Sequence, residues 1–219
     1  MRPPGFAVKD SFLPPSGVSW GMLQDVWLAI DERRYGQAEA LLGANDDLRV
    51  GRAGQMALGY IYAHTGRCGE ARRVFGELRE QHRGDDWEHI AVHQLGRVER
   101  LAGQPEAALK FFEEERALIR AQGEEAHKLA VNALETAQCF LKLGRLADAR
   151  RELDLSVEAA RTHDDPETLG RAERALADLS LSEGHPQAAR LHYERALVAF
   201  RESEDEFAVR ETEALLGNV

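Results

Sequence analysis

Apolar residues recur at helical spacing along almost the whole chain after residue 19. Val92, Leu95 and Val98 are three positions apart, and Leu58 and Tyr62 are four positions apart. Apolar residues at such intervals share one face of an α-helix, which the helix then buries. Because every strong periodic signal is of this kind, we predict more than about 60 % helix and no β-sheet.

The helical pattern is interrupted at regular intervals by glycine, and the same arrangement follows each glycine. An alanine lies five positions after the glycine, and a bulky apolar residue lies four positions after the alanine. The four glycines are 37, 41 and 40 residues apart, and an earlier copy has Arg33 in place of glycine. The pattern therefore predicts five repeats. Their members are Arg33, Ala38 and Leu42; Gly66, Ala71 and Phe75; Gly103, Ala108 and Phe112; Gly144, Ala149 and Leu153; and Gly184, Ala189 and Tyr193.

Each repeat is typical of two helices joined by a short turn. The glycine ends the first helix, where a left-handed backbone is favourable for glycine and costly for other residues. The alanine lies where the second helix approaches the first, and the bulky residue fills the space one turn further along the same face. The first helix also carries a small residue at a matching position, where a large side chain would push the two helices apart. These small residues are Gly59, Gly96, Ala137 and Ala177.

On these residues the sequence resembles the tetratricopeptide repeat family. That family has the pattern Trp-x2-Leu-Gly-x2-Tyr, followed by Ala-x3-Phe and Pro, with a period of about 34 residues. The second repeat matches it with Leu58-Gly59, Tyr62, Ala71 and Phe75. The period near 40 departs from the pattern and is similar to the longer repeats of kinesin light chains and bacterial peptide-pheromone receptors.

The resemblance implies an all-α, right-handed superhelical solenoid of about five helix-turn-helix units. We assign residues 1–18 to a flexible, proline-rich tail, residues 19–202 to the five repeats, and residues 203–219 to a C-terminal capping helix. A helix of this kind covers the apolar end that the last repeat leaves open. We expect its buried face to contain Phe207, Ala208, Thr212 and Leu215.

Composition excludes several classes of partner. The formal net charge of -10 argues against nucleic-acid binding, which needs a basic surface. No apolar stretch approaches the roughly 20 residues of a membrane span, so we predict no membrane partner. The two cysteines, Cys68 and Cys139, form no sequence pair, and this favours a reducing, cytoplasmic location.

No arrangement of residues predicts catalysis. His89 and His93 are four positions apart on a helix and could hold a metal ion, but no third ligand lies at a diagnostic distance, so exposed histidines are the better interpretation. The glutamates within residues 111–120 lie beside arginines and favour a solvated, partly ion-paired face. No phosphate-binding loop is present. We therefore predict no enzyme activity, no metal and no cofactor.

In the family that the sequence resembles, the first helix of each unit lines a concave groove. Carried over by position, the early repeats offer rings and a methionine, which are the anchors that dominate interfaces. The later repeats offer mainly cations. Glu135 and Asp178 are expected to neutralise part of their positive charge. The predicted groove residues are Trp27, Met56, Tyr60, His64, His93, Arg97, Arg100, Gln138, Lys142, Arg171, Arg174 and Asp178.

The sequence favours a scaffold or adaptor that binds a peptide segment of a partner protein. The family's clamp for a C-terminal carboxylate is not supported, because Leu23, Trp27, Ala57, Ile90 and Gln94 occupy the matching positions. A peptide-sensing regulatory domain of a bacterial signalling or transcription system stays open as an alternative. The cations point to an acidic partner, and a homodimer also stays open.

The N-terminal tail suggests a further hypothesis. It carries Phe6, Phe12 and Leu13 among prolines, and a proline-rich segment is extended and loses little entropy on docking. We expect that this segment can lie against the groove of its own chain or of a neighbouring one.

The repeat phase predicts the effect of enlarging a spacer residue. Replacing Ala108 by Leu should overpack its helix pair and lower the free energy of unfolding by about 1–3 kcal/mol. Urea denaturation of the wild type and the variant measures this difference. An unchanged midpoint would show that Ala108 does not lie between the two helices.

Overall fold

The fold is all-α. The structure is a computed structural model that describes residues 20–123 and 126–219, so the predicted tail, residues 1–18, lies outside the described residues. About 82 % of the described residues are helical, and they contain no strand. The sequence prediction of more than about 60 % helix without a sheet is confirmed.

The described residues form twelve helices, which pack in neighbouring pairs. The helices are α1 (Trp20–Asp31), α2 (Tyr35–Gly43), α3 (Asp46–Val50), α4 (Arg52–His64), α5 (Cys68–Gln81), α6 (Glu88–Leu101), α7 (Pro105–Ala121), α8 (Ala126–Lys142), α9 (Leu146–Thr162), α10 (Pro166–Ser182), α11 (Pro186–Glu202) and α12 (Glu206–Leu216). The first and second helices of each pair are called A and B helices below: α1 and α2, α4 and α5, α6 and α7, α8 and α9, and α10 and α11.

The chain divides into two compact units, which are described separately. Of the described residues, the N-terminal unit comprises 20–114 and the C-terminal unit comprises 115–123 and 126–219. The N-terminal unit contains a short helix, α3, that the sequence pattern did not predict. The side chain of Asn45 begins this helix by accepting a hydrogen bond from the backbone N–H of Leu48 at 2.9 Å.

Close contact between glycine and phenylalanine sets the spacing of the helix pairs in the N-terminal unit. Gly59 of α4 faces the ring of Phe75 in α5, and a Cβ atom at Gly59 would lie 2.4 Å from that ring. Gly96 of α6 faces the ring of Phe112 in α7 in the same way, with a Cβ distance of 2.6 Å. No real Cβ atom tolerates such distances, so the A helices need their small residues where the sequence places them.

The predicted turns also have the predicted backbone. Four glycines at the ends of A helices have positive φ angles: Gly66, 78°; Gly103, 74°; Gly144, 70°; and Gly184, 79°. Arg33 occupies the same place after α1 and has a φ of 58°. The match of Arg33 to the four glycines confirms the earliest and weakest copy of the repeat.

The C-terminal helix α12 follows the last pair and begins directly after Asp205. The Asp205 side chain accepts a hydrogen bond from the N–H of Ala208 at 3.0 Å. Ala208 and Thr212 are buried, but Phe207 is 52 % exposed and Leu215 is 39 % exposed. The prediction of a buried Phe207 and Leu215 was wrong. Successive residues of a helix point about 100° apart, so the face centred on Ala208 and Thr212 leaves Phe207 beside it.

Buried and half-buried carboxylates connect neighbouring helices in the C-terminal unit. The buried Glu173 of α10 accepts a hydrogen bond from Arg161 of α9 at 2.6 Å and lies 2.7 Å from the Nδ1 atom of His192 in α11. Arg116 donates two hydrogen bonds to Glu152 and one to the buried Asn132. Because a buried carboxylate is stable only with such partners, these groups fix which helices are adjacent.

The glycine contacts predict opposite effects for two glycine-to-alanine changes. Gly96→Ala should lower the free energy of unfolding by about 1–3 kcal/mol, because the new methyl group overlaps the Phe112 ring. Gly76 lies in the interior of α5, and no atom lies within 4 Å of a Cβ atom added there. Gly76→Ala should therefore raise the free energy of unfolding by about 0.5–1 kcal/mol. Urea denaturation monitored by circular dichroism measures both changes. Equal effects of the two substitutions would contradict this account of the helix spacing.

Candidate peptide-binding surface

One register position connects the predicted groove residues. The residue directly after the small residue of each A helix is Tyr60 in α4, Arg97 in α6, Gln138 in α8 and Asp178 in α10. Trp27, which follows Val26 in α1, occupies the equivalent position. Because one residue advances a helix by about 100°, this position lies beside the face that packs against the B helix.

In the N-terminal unit the side chains at this position contact one another across three helices. The rings of Trp27 and Tyr60 meet edge to face, with centroids 6.2 Å apart and an interplanar angle of 68°. The Arg97 guanidinium carbon lies 5.4 Å from the centroid of the Tyr60 ring. All three side chains are half-buried. Edge-to-face rings and a cation over a ring are both favourable arrangements.

Two further rings extend this contact. His64, one turn after Tyr60, stacks on the Tyr60 ring with centroids 4.2 Å apart, and Tyr35 of α2 stacks on His64 at 5.9 Å. Burial and the neighbouring Tyr60 raise the pKa of Tyr35, so its hydroxyl keeps its proton at neutral pH. We call Trp27, Tyr35, Tyr60, His64 and Arg97 the aromatic surface.

Tyr35 was not among the predicted groove residues, because those residues were all taken from A helices. Tyr35 is the first residue of α2, two positions after Arg33, whose φ is positive. A search for rings just after the predicted turns would have found it. His64 and Tyr35 are half-buried, as are the other three members of the aromatic surface.

Met56 and His93 do not belong to this surface. Met56 is 4 % exposed in a core cluster with Phe75, and His93 is 8 % exposed with its ring 5.8 Å from that of Phe112. Each lies three positions before the small glycine of its helix, on the face that packs against the B helix. Their predicted exposure to a ligand was therefore wrong.

The remaining predicted cation of the N-terminal unit is Arg100, which is half-buried one turn after Arg97 on α6. Residues three apart on a helix are neighbours on its surface. Arg97 and Arg100 therefore place positive charge at the α6 end of the aromatic surface.

The C-terminal unit brings its predicted cations together with carboxylates. Arg171 lies 3.6 Å from the buried Glu135, and Arg174 lies 3.2 Å from Glu211 of α12. Arg174 also lies over the ring of Phe200, 5.6 Å from its centroid. Lys142 is exposed and Gln138 is half-buried. The neutralisation that the sequence suggested for Glu135 is present, and Glu211 adds a second carboxylate that the sequence pattern did not predict.

Asp178 takes part in a different contact. It accepts a hydrogen bond from the hydroxyl of Tyr193, and burial together with that bond raises the pKa of Tyr193. An open cavity of about 450 Å³ lies beside this pair, between α10 and α12. Its lining residues are Arg174, Asp178, Glu211, Ala214, Leu215 and Asn218. The lining mixes both signs of charge, so it is not the basic groove that the sequence predicted.

The candidates for chemistry lie in structural positions. His89 and His93 are both buried, and the expectation of exposed histidines was wrong. Glu114 pairs with Arg79, while Glu115 is buried and accepts a hydrogen bond from Asn132 at 2.8 Å. Among the described residues, no group of three or more His, Cys, Asp or Glu side chains is placed to hold a metal ion. Cys139 is buried and Cys68 is half-buried.

Comparison with known proteins shows the fold. No family model and no curated protein matches the chain. The chain is similar in structure to a protein in a solved structure, "Crystal structure of BtubC (BKLC) from P. vanneervenii", with a TM-score of 0.62 and 14 % sequence identity, over 91 % of this chain and 91 % of that one. The likeness supports a helical fold like that of tetratricopeptide repeats, as the sequence implied. In the described part of the chain, none of the helices has the length and apolar character needed to cross a bilayer.

Proposed function

We propose that this chain is a protein-interaction module that binds a peptide segment of a partner protein on its aromatic surface, without catalysing a reaction. The observation that carries the proposal is the series of contacts from Trp27 through Tyr60 to Arg97, which crosses three A helices. The repeat-type helical fold is consistent with a scaffold role. Fold alone does not determine function, so a specific surface must support a specific role.

The rings suit a binding surface because they are already ordered. Tyr60 contacts rings or a guanidinium on three sides, from Trp27, His64 and Arg97. A side chain held by its neighbours loses little conformational entropy when a ligand packs against it. Half-buried tyrosine and tryptophan are also among the residues that contribute most to binding energy. We therefore assign the main apolar contact to Trp27 and Tyr60.

The cation beside the rings gives the surface a chemical preference. The Arg97 guanidinium lies over the Tyr60 ring, with Arg100 one turn away. A guanidinium can donate two parallel hydrogen bonds to one carboxylate. The preferred segment then has an apolar or aromatic residue for the rings and an Asp, Glu or terminal carboxylate next to it.

Arg97 is preferred to the predicted cations of the C-terminal unit because it contacts a ring of the aromatic surface directly. Arg171 and Arg174 lie beside Glu135 and Glu211. Arg174 also lies over a ring, that of Phe200, at a similar distance. Arg174 is therefore a matched comparison for Arg97.

The test is a selection of peptides from a random library on the immobilised full chain, followed by titration of the selected synthetic peptides. Tyr60→Ala should weaken binding by roughly 30-fold, which corresponds to a loss of about 2 kcal/mol at a central ring. Tyr62→Ala is the control, because Tyr62 lies on the same helix but contacts Arg67 instead. Circular dichroism and urea denaturation confirm that both variants fold.

The charge preference has its own comparison. Arg97→Ala should weaken the binding of an acidic peptide by about 5- to 30-fold. The affinity of this variant should also depend much less on salt concentration than that of the wild type. Arg174→Ala should change the affinity by less than about twofold. Peptides that bind the Tyr60→Ala variant as well as the wild type would reject the aromatic surface as the site.

A further inference from the structure

We propose that the aromatic surface also binds a segment of this same chain, residues Phe12–Pro15, which competes there with the partner. The inference rests on the proposed function in that both ligands use one surface. Residues 1–19 lie outside the described residues, but their sequence and the residue at which they join α1 are known.

The composition of the N-terminal residues fits a surface of rings. Four of the seven prolines of the chain lie within residues 1–19, as two Pro-Pro pairs. The second pair follows Phe12 and Leu13 directly. A polyproline II helix has three residues per turn, so in that conformation residues 12 and 15 would project to the same side, about 9 Å apart. Segments of this kind dock on grooves lined by aromatic residues.

The point of attachment places the segment near the surface. The segment joins the fold at Trp20, where α1 begins, and Trp27 lies seven residues further along that helix. Seven residues of helix span about 10 Å. Phe12 and Pro15 precede Trp20 by eight and five residues, and at about 3.1 Å per residue an extended chain spans roughly 15–25 Å. The segment can therefore turn back along α1 and reach Trp27 and Tyr60.

The surface offers groups that match an extended proline-rich backbone. Its rings follow one another at centroid distances of 6.2, 4.2 and 5.9 Å, from Trp27 through Tyr60 and His64 to Tyr35. A polyproline II segment makes no internal hydrogen bonds, so its carbonyl groups need donors. The Tyr35 hydroxyl keeps its proton and supplies one such donor.

Attachment to the fold makes even weak binding significant. A short flexible connection gives a tethered segment an effective concentration of about millimolar. A partner must then displace the segment. The apparent affinity of the surface for the partner is therefore the intrinsic affinity multiplied by the fraction of time for which the segment is unbound. The surface would thus respond only to partners that bind more tightly than the chain's own residues.

The experiment is NMR relaxation on the full-length chain. In the wild type, the backbone amides around Phe12 should have order parameters above about 0.6, the value below which a backbone is flexible. They should fall below it in Tyr60→Ala and in Pro14→Ala with Pro15→Ala. Pro3→Ala with Pro4→Ala is the matched control, since it removes the other proline pair and should leave the amides around Phe12 ordered.

The competition supplies the second measurement. A peptide selected on the wild type should bind the Pro14→Ala, Pro15→Ala variant at least about twofold more tightly, and the Pro3→Ala, Pro4→Ala variant unchanged. Flexible amides around Phe12 in the wild type would overturn the inference. Order that disappears on dilution would also overturn it, because the ligand would then be the segment of a second copy. If the amides around Phe12 are flexible in the wild type while Tyr60→Ala still weakens the binding of the selected peptide, only this inference fails and the proposed function stands.

Discussion

The contact between glycine on one helix and a phenyl ring on the next is the constraint on which the rest of the structure depends. At Gly59 and Gly96 the ring of the B helix fills the space where a Cβ atom would be. The helices of a pair can approach only at this small residue, which fixes both their separation and their rotation. Once Gly59 faces Phe75, Tyr60 must turn toward the side, where the neighbouring A helices lie. The site therefore follows from the packing.

The fold was largely readable from the sequence because the packing repeats. Five copies of a spaced glycine, alanine and bulky residue are strong evidence where one copy is weak, and even Arg33 was placed correctly at a turn. The short helix α3 was missed because its five residues show no helical period. Its packing is nevertheless tight, since a Cβ atom at Gly54 would lie 1.9 Å from the carbonyl oxygen of Leu48. A single contact of this kind leaves no periodic signal in a sequence.

The candidate site was only partly readable, because exposure depends on where a residue lies within a turn of helix. The sequence distinguished A helices from B helices, but it did not separate Met56, which packs inward, from Tyr60, which does not. The charge of the candidate site was still harder to predict, because the number of cations does not show which carboxylates pair with them. The partners do follow the repeat: Glu135 lies 36 residues before Arg171, and Glu211 lies 37 residues after Arg174. Residues one period apart lie on adjacent repeats, so the period itself indicates which charges meet.

Comparison among the repeats separates positions that hold the fold from positions that can recognise a partner. The small position of the A helices is Gly59, Gly96, Ala137 or Ala177, because the neighbouring B helix permits nothing larger. The next position changes its chemistry in every repeat, although it has the same place in each pair. It is an indole in α1, a phenol in α4, a guanidinium in α6, an amide in α8 and a carboxylate in α10. The spacing of the helix pair therefore accepts side chains of different size and charge at this position, whereas it accepts only a small residue at the preceding one. In the N-terminal unit the indole, the phenol and the guanidinium are in mutual contact, and this is why the binding proposal begins with those three side chains.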